Sequence, residues 1–173
     1  LRALKAAGGA VLADAEVGAV TRAGGVWRVE TRGGTVEAPV LVNAAGAWAD
    51  EIARMAGVRP VGLIPKRRTA ALIDPPAGPA DDGWPMVVDA EESFYVKPDA
   101  GKLLISPADA TPSAPCDAQP EELDVAIAVD RVEQAFDLSV RRIAHKWAGL
   151  RSFVADGEPV AGYAPDAEGF FWL

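Results

Sequence analysis

Short runs of alternating apolar and polar residues dominate the first forty positions of the chain. A helical spacing over 1–7 precedes them, and a short apolar run over 10–13 predicts a strand. The glycine pairs Gly24-Gly25 and Gly33-Gly34 then separate three strand-like runs, and such glycine turns predict hairpins. These three predicted strands lie over 16–22, 26–32 and 35–38.

The next run, 40–42, is apolar at every position. A continuous apolar run of this kind is typical of a parallel strand that is buried on both faces. It leads into the small-residue segment 43–48 and then into a predicted helix over 48–56, with Ile52 and either Met55 or Ala56 on its apolar face. The pattern therefore predicts a strand, a tight turn and a helix.

The second part of the chain has short strand-like runs between loops rich in proline and glycine, and one long helix predicted over 121–138. Acidic residues at the start of this helix suit its dipole. Its predicted apolar stripe consists of Leu123, Ile127, Val132 and Phe136. The predicted strands are 67–73, 86–89, 93–97, 103–106, 141–153 and 159–163, and the two long loops are 75–85 and 107–120.

These patterns predict an α/β plus α+β chain. Residues 1–60 read as part of a Rossmann-like nucleotide-binding layer, and 61–152 as an antiparallel sheet domain with a long helix. Residues 153–173 read as a segment that returns to the first layer. Because the chain opens inside a helix and closes directly after an apolar run, we expect it to be a piece of a larger protein.

The composition narrows the classes of protein. The chain has 173 residues, of which 50% are hydrophobic, and a net charge of -8. This apolar content excludes intrinsic disorder, and the acidic balance argues against a nucleic-acid partner. With one cysteine and one histidine, an intramolecular disulfide and a multi-cysteine zinc site are excluded. Since no apolar run approaches roughly 20 residues, we expect no transmembrane segment.

The segment 43–48, Asn-Ala-Ala-Gly-Ala-Trp, is the first candidate for chemistry. Small residues between a strand and a helix let a ligand approach the backbone closely. The alternative is a tight turn whose small residues serve packing alone. No G-x-G-x-x-G fingerprint of a dinucleotide site is present.

Two basic positions are the next candidates. Arg151 ends the segment 147–151, Trp-Ala-Gly-Leu-Arg, and its planar guanidinium matches a carboxylate with two hydrogen bonds. The alternative is a surface arginine or one paired with an acid such as Asp156. Arg67 and Arg68 point to opposite faces of a strand, so one can face solvent and the other a cavity. For these two, the alternative is a solvated basic strand edge.

Tyr95 and Phe94 likewise point to opposite faces of a predicted strand, so one of them belongs to the core. The phenol of Tyr95 could donate a hydrogen bond to a substrate carboxylate, or to a backbone group as buried tyrosines commonly do. Met86 and Val88 share one strand face and read either as an apolar pocket wall or as plain core.

Together these segments resemble the FAD-dependent oxidoreductases that include D-amino-acid oxidase, glycine oxidase and sarcosine oxidase. Residues 40–48 resemble that family's second flavin-contacting motif. Residues 147–151, followed by 156–162, resemble its substrate-arginine segment. Within the family the chain is most similar to bacterial D-arginine dehydrogenases, through 66–70 and 92–101.

The resemblance implies a role for each candidate side chain. Arg151 would hold the substrate carboxylate and Tyr95 would donate to the same group. Arg68 would line the same site, and Met86 and Val88 would form an apolar wall beside the substrate side chain.

The resemblance also implies FAD as the cofactor. The backbone of Val17 would contact the adenine end of FAD. Ala44, Ala45 and Gly46 would lie against the cofactor, and Trp48 belongs to the same cofactor-binding segment.

The implied reaction is the oxidative deamination of a D-amino acid of the D-arginine or D-lysine type. Hydride transfer to FAD would give a 2-oxo acid and ammonia. The resemblance leaves the electron acceptor open. It implies a location in the bacterial cytoplasm, either free or at the periphery of the inner membrane. One alternative is an amine oxidase of the glycine or sarcosine type. Leu104 stands where sarcosine oxidases place an oxygen-activating lysine, which favours a dehydrogenase, although Lys102 lies on the same strand face. The other alternative is a cofactor-free fragment with no activity by itself, because the family's glycine-rich segments are absent from the chain.

Overall fold

The structure is a computed structural model, and it describes residues 1–76 and 83–173. The middle of the loop predicted over 75–85 therefore lies outside the described residues. The chain divides into two compact units, Leu1–Leu63 with Gly157–Leu173, and Ile64–Asp156.

Strands outnumber helices in both units. In chain order, the helices and strands of the described residues are α1 (Arg2–Ala6), β1 (Val17–Ala23), β2 (Val26–Thr31), β3 (Gly34–Ala38), β4 (Leu41–Asn43), α2 (Ala49–Met55), β5 (Ile64–Ile73), β6 (Val87–Val88), β7 (Tyr95–Asp99), β8 (Lys102–Ser106), β9 (Thr111–Pro112), α3 (Glu122–Ala135), β10 (Ile143–Phe153), β11 (Gly162–Tyr163) and β12 (Phe170–Trp172). A 3₁₀ turn, Gly46–Trp48, precedes α2.

The first unit opens with an antiparallel sheet in the order β1-β2-β3, which confirms the predicted hairpins. Gly24 and Gly25 form the first turn at φ of 58° and 84°, a left-handed conformation that glycine adopts without strain. The strand predicted over 10–13 is wrong. Val11 and Leu12 are exposed there, and no neighbouring strand pairs with them among the described residues.

A second sheet of the first unit has the order β11-β12-β4, and β4 runs parallel to β12. The predicted parallel placement of 40–42 is therefore confirmed, but burial on both faces is wrong. Leu41 and Asn43 face the core, whereas Val42 on the other face is 49% exposed. The reason is that no described segment covers this face of β4. The predicted Rossmann-like layer is therefore represented here by one pair of parallel strands, β4 and β12, and by the helix α2.

The helix α2 follows the 3₁₀ turn, as the strand, turn and helix pattern predicted. Its buried residues are Ala49, Asp50 and Ala53, with Ile52 half-buried beside them. Of the two residues predicted beside Ile52, Ala56 packs against the core. Met55 is exposed, because it lies about 120° around the helix from Ala49, so its assignment to the apolar face is wrong. Small alanines let α2 pack closely on a core that includes Trp27.

The second unit is an antiparallel sheet in the order β10-β5-β8-β7-β6, with β9 paired to the edge of β5. The helix α3 covers one face, so the predicted antiparallel sheet with a long helix is confirmed. The buried residues between them are Ala71, Ile73, Phe94, Val96, Leu103, Ile105, Ala128 and Val132.

The buried stripe of α3 differs in part from the predicted one. Val125, Ala128 and Val132 are buried, at the spacing that places three side chains on one helix face. Ile127 is half-buried, whereas Leu123 is exposed, so its assignment to the stripe is wrong. Leu123 lies about 160° around the helix from Val125, on the side away from the sheet.

Arg67 ties the sheet to α3 on this covered face. Its guanidinium pairs with the carboxylate of Glu121, and its Nη2 lies 3.0 Å from Oδ2 of Asp124. A third carboxylate, that of Asp109, lies 3.9 Å from Nε. Burial opposes the charged form, but the two helix carboxylates outweigh it and raise the pKa of Arg67 above its ordinary value. The solvated basic edge considered for Arg67 is therefore wrong.

Replacement of this cation should destabilise the second unit. Arg67→Met leaves the nearly buried Asp124 carboxylate without its cation, and we expect a loss of about 3 kcal/mol in the free energy of unfolding, measured in urea. Lys146→Met is the matched control because it removes an ion pair between β10 and Glu122 of α3, whose side chain is 83% exposed. That control should cost no more than about 1 kcal/mol. Equal losses in the two variants would contradict the structural role given to Arg67.

Candidate functional site

Strand alternation gives the sheet of the second unit two different faces. Ala71 and Ile73 of β5 lie opposite Ile105 and Leu103 of β8 and belong to the core under α3. Successive side chains point to opposite faces, so Leu72 and its even-numbered neighbours on β5 point away from the helix. The same parity runs through β7 and β8, because Val96 in the core pairs with Ile105.

Strand alternation places four of the five predicted substrate residues, Arg68, Val88, Tyr95 and Arg151, on this second face. They come from four strands or strand ends, and Met86 stands directly before β6, two residues from Val88. Lys66 joins them on β5. We call the surface formed by these six residues the site face. Its members are Lys66, Arg68, Met86, Val88, Tyr95 and Arg151.

The floor of the site face is made of small and apolar residues. Ala70, Leu104 and Ser106 are buried at its centre. Tyr95 pairs with Ser106, and β5 and β8 separate β7 from β10, where Arg151 lies. Three strand spacings put the two backbones about 14 Å or more apart. Tyr95 and Arg151 therefore do not contact each other directly, and only a molecule lying over the floor would join them. That both bind one substrate carboxylate stays a prediction.

Arg151 lies directly opposite Lys66 in the β10–β5 register. Both cations contact the ring of Phe153, at 5.2 Å from the guanidinium carbon of Arg151 and 4.8 Å from Nζ of Lys66. Such contacts stabilise a cation by attraction to the face of the aromatic ring. The sequence interpretation missed Lys66. The signal was its two-residue spacing from Arg68, which puts both on one strand face.

Arg68 is held in place from the loop before β9. Its Nε donates to the backbone carbonyl of Asp109 at 2.6 Å. The carboxylate of Asp109 accepts from the amide of Thr69 at 2.7 Å and from its hydroxyl at 3.2 Å, which anchors the loop to the neighbouring residue. Asp109 is a second residue that the sequence interpretation missed. It lies far from Arg68 along the chain, so no local sequence pattern links the two residues.

The remaining predicted residues differ in burial. Phe94 is the core member of its pair and packs edge-on against Phe136, with ring centroids 6.4 Å apart, while Tyr95 is half-buried. Met86 and Val88 are 51% and 52% exposed, so the core alternative is wrong for both. Their role as a pocket wall stays a prediction.

In the predicted cofactor segment of the first unit, the hydrogen bonds of Asn43 hold the turn in place and leave part of its backbone exposed. The buried Asn43 amide donates to the carbonyl of Ala49 at 2.8 Å, and its oxygen accepts from the amide of Ala45 at 3.4 Å. Ala44 and Gly46 are exposed above it. Gly46 has φ of 56°, and a Cβ placed there would meet no described atom within 4 Å. This cradle suits a ligand that lies directly against the backbone.

The other two predicted cofactor residues are Trp48 and Val17. Trp48 is 43% exposed at the end of the 3₁₀ turn. Val17 opens β1 at a β-bulge, where it pairs with Thr31 while Ala19 pairs with Glu30. The bulge leaves the backbone of Gly18 outside the ladder, in a shallow groove.

The family of the chain follows from its match over the full length. The profile of the family described as "FAD dependent oxidoreductase" matches residues 1–173. The chain belongs to this FAD-dependent oxidoreductase family. The resemblance to this family, and FAD as the family's cofactor, are therefore confirmed, whereas the finer similarity to D-arginine dehydrogenases stays a prediction.

Several curated relatives of this family member are amine dehydrogenases and oxidases. Mouse mitochondrial sarcosine dehydrogenase is 29% identical over 156 residues, which cover 84% of the chain and 17% of the relative. Glycine oxidase of Geobacillus kaustophilus is 26% identical over 147 residues, which cover 83% of the chain and 37% of the relative. These names support the glycine and sarcosine alternative better than the D-arginine interpretation.

Solved structures share the fold. The structure of Geobacillus kaustophilus glycine oxidase superimposes with a TM-score of 0.79 at 24% identity, over 98% of the chain and 45% of that protein. L-Proline dehydrogenase from P. horikoshii gives 0.78 at 21% identity, over 97% and 46%. The chain thus spans less than half the length of these proteins. Within residues 1–76 and 83–173, no helix is long and apolar enough to cross a membrane.

The backbone at Gly46 offers a direct test of the cofactor cradle. In the longer parent protein, Gly46→Ala should weaken FAD binding about tenfold, because a methyl group would fill the space against which the cofactor is expected to lie. Gly57→Ala is the matched control, since Gly57 also has a positive φ of 69° and no described atom within 4 Å of an added Cβ. The measurement is flavin absorbance per protein during FAD titration. Equal FAD affinity in the two variants would contradict the prediction that FAD lies against the backbone of Gly46.

Proposed function

We propose that the chain is the substrate-carboxylate-binding part of an FAD-dependent oxidoreductase that oxidises glycine or an N-alkylglycine. The observation that carries this proposal is the cluster of cations on the site face, Lys66, Arg68 and Arg151, above an apolar floor. A carboxylate needs such fixed donors, and Arg151 offers it two parallel hydrogen bonds.

The charges of the site face favour a substrate without a cationic side chain. On β5 and β10 the positions facing the site hold no acid. The acid on the same face of β7, Asp99, lies 3.5 Å from Lys97 and so has its own cation. A D-arginine or D-lysine side chain would meet three cations here, which is unfavourable without acidic partners from elsewhere in the parent protein.

The residues of this chain would act mainly by positioning the substrate. Arg151 and Tyr95 would hold the carboxylate between them, and Arg68, fixed by Asp109, would limit its movement. The buried floor of Leu104 and Ala70 would exclude water beneath the substrate. Orientation of this kind reduces the entropy that the reaction must otherwise lose at its transition state.

The cofactor would lie on the first unit. Val17, Ala44, Ala45, Gly46 and Trp48 are the residues that would hold FAD, and the open backbone at Gly46 supports that assignment. When bound, FAD supplies the two-electron acceptor for oxidation of the substrate C–N bond. The oxidised substrate is then an imine that water hydrolyses.

Dehydrogenase chemistry is the proposed form of the reaction. Leu104 is buried in the floor of the site face, at the position considered for an oxygen-activating lysine, and it carries no charge. Lys102, the other lysine considered for oxygen activation, lies 2.5 Å from the carboxylate of Asp74 and is engaged there. We therefore expect electrons to pass to an acceptor other than oxygen.

A substrate panel with the FAD-containing parent protein tests the proposed function. Sarcosine, N,N-dimethylglycine and glycine should reduce the flavin and an added dye, with little hydrogen peroxide. D-Arginine and D-lysine should reduce neither. Dye reduction by the two basic D-amino acids alone would replace this proposal by the D-amino-acid dehydrogenase, and no reduction by any compound of the panel would contradict both.

A further inference from the structure

Arg131 of α3 reaches the end of the β7–β8 strand pair. It precedes the fully buried Val132 and is itself half-buried. Its Nη1 donates to the backbone carbonyl of Ser93 and, at 2.9 Å, to that of Pro107. Whereas Arg67 pairs with carboxylates, Arg131 uses its guanidinium to hold two segments of backbone.

The two carbonyls lie at the point where the β7–β8 ladder ends. Its last pair is Tyr95 with Ser106. Ser93 lies two residues before Tyr95, and Pro107 directly follows Ser106. Because proline has no backbone N–H, Pro107 cannot donate a further ladder bond to the chain before β7. The guanidinium of Arg131 replaces that bond, since one of its nitrogens holds both strand ends.

The segment before Tyr95 has two other kinds of support. The carboxylate of Asp89 accepts from the hydroxyl of Ser93 at 2.6 Å and from its amide at 3.3 Å, which are local bonds within the β6–β7 connection. Phe94 packs on Phe136 of the core, but apolar packing is not directional. The bonds from α3 are directional, so they set the position of the backbone from which the Tyr95 side chain leaves the sheet.

Arg68 depends on Arg131 less directly than Tyr95 does. The loop after β8 carries Asp109, whose carbonyl accepts from Nε of Arg68. The carboxylate of Asp109 is anchored separately, by the amide of Thr69 at 2.7 Å. Loss of Arg131 should therefore displace Tyr95 more than Arg68.

We propose that Arg131 is a positioning residue of the candidate site and acts through Tyr95. Arg131 belongs to the helix that covers the opposite face of the sheet, so it has no contact with a substrate on the site face. The proposal rests on the proposed function, in which the phenol of Tyr95 donates to the substrate carboxylate. A displaced phenol would leave that carboxylate with one charge-assisted hydrogen bond fewer.

Binding of an unreactive carboxylate measures this role. Methoxyacetate mimics sarcosine with an ether oxygen in place of the amine, and its Kd is measured by isothermal titration calorimetry on the FAD-containing parent protein. Arg131→Met should raise that Kd about tenfold, because the phenol hydrogen bond is lost. Arg131→Lys should restore most of the affinity, since an ammonium group has three N–H donors for the two carbonyls.

Val132→Ala is the matched control. It loosens the packing of the same helix on the sheet and leaves the bonds to Ser93 and Pro107 in place. It should lower the Tm of the parent protein without changing the Kd of methoxyacetate. An equal rise in Kd in Val132→Ala and Arg131→Met would assign the effect to general packing and overturn the proposal. Arg131→Gln, whose side chain is too short to hold both carbonyls, replaces Arg131→Met if that variant does not fold.

A double-mutant cycle identifies the residue through which Arg131 acts. In a Tyr95→Phe background, Arg131→Met should change the Kd of methoxyacetate by less than about twofold, because the phenol hydroxyl is already absent. A further rise as large as in the unmodified background would show that the two residues act independently, which the proposal does not allow.

Flavin reduction by sarcosine in the same preparation separates this proposal from the one it rests on. If sarcosine reduces the flavin but Arg131→Met leaves the Kd of methoxyacetate unchanged, the positioning role is overturned and the proposed function stands. If no amine of the panel reduces the flavin, the proposed function fails and the positioning role fails with it.

Discussion

The register of β5 against β10 is the constraint on which the second unit and its candidate site depend. Because side chains alternate, a shift of one residue would send Lys66 and Arg68 into the core and bring Thr69 and Ala71 out of it. Arg67 opposes such a shift, since its charge is satisfied by Glu121 and Asp124, at the start of α3. The cations of the site face are thus held outward by an ion pair on the opposite face.

The two faces of this sheet use charge in opposite ways. Beneath α3, the cation Arg67 has acidic partners and contributes to stability. On the site face, three cations lie close together without such partners on β5 or β10, and the ring of Phe153 stabilises two of them. An arrangement that is unfavourable for the folded chain alone becomes favourable once an anion binds, which is the physical basis for placing the substrate carboxylate there.

Local patterns predicted much of this fold from the sequence. Glycine pairs located the hairpins, and strand alternation correctly predicted that one of Phe94 and Tyr95 belongs to the core. Errors arose where burial depends on a distant partner. Val42, Met55 and Leu123 are apolar, but each lies on a side of its element that no described segment covers.

The candidate site could be predicted as separate residues but not as an arrangement. Arg68, Tyr95 and Arg151 were found from their types, their strands and a family resemblance. The pairing of Lys66 with Arg151 and the support of Arg68 by Asp109 depend on contacts between segments far apart along the chain. Such contacts follow from strand order, which local periodicity does not determine.

The central claim is that Arg151 binds the substrate carboxylate, and steady-state kinetics of Arg151→Met in the FAD-containing parent protein tests it most directly. Arg142→Met is the control. Arg142 lies just before β10, is exposed and pairs with Asp74. The account predicts that kcat/KM for sarcosine falls about a hundredfold or more in Arg151→Met and stays unchanged in Arg142→Met, because a charge-assisted double hydrogen bond is lost. Unchanged kcat/KM in Arg151→Met, or an equal fall in both variants, would contradict it.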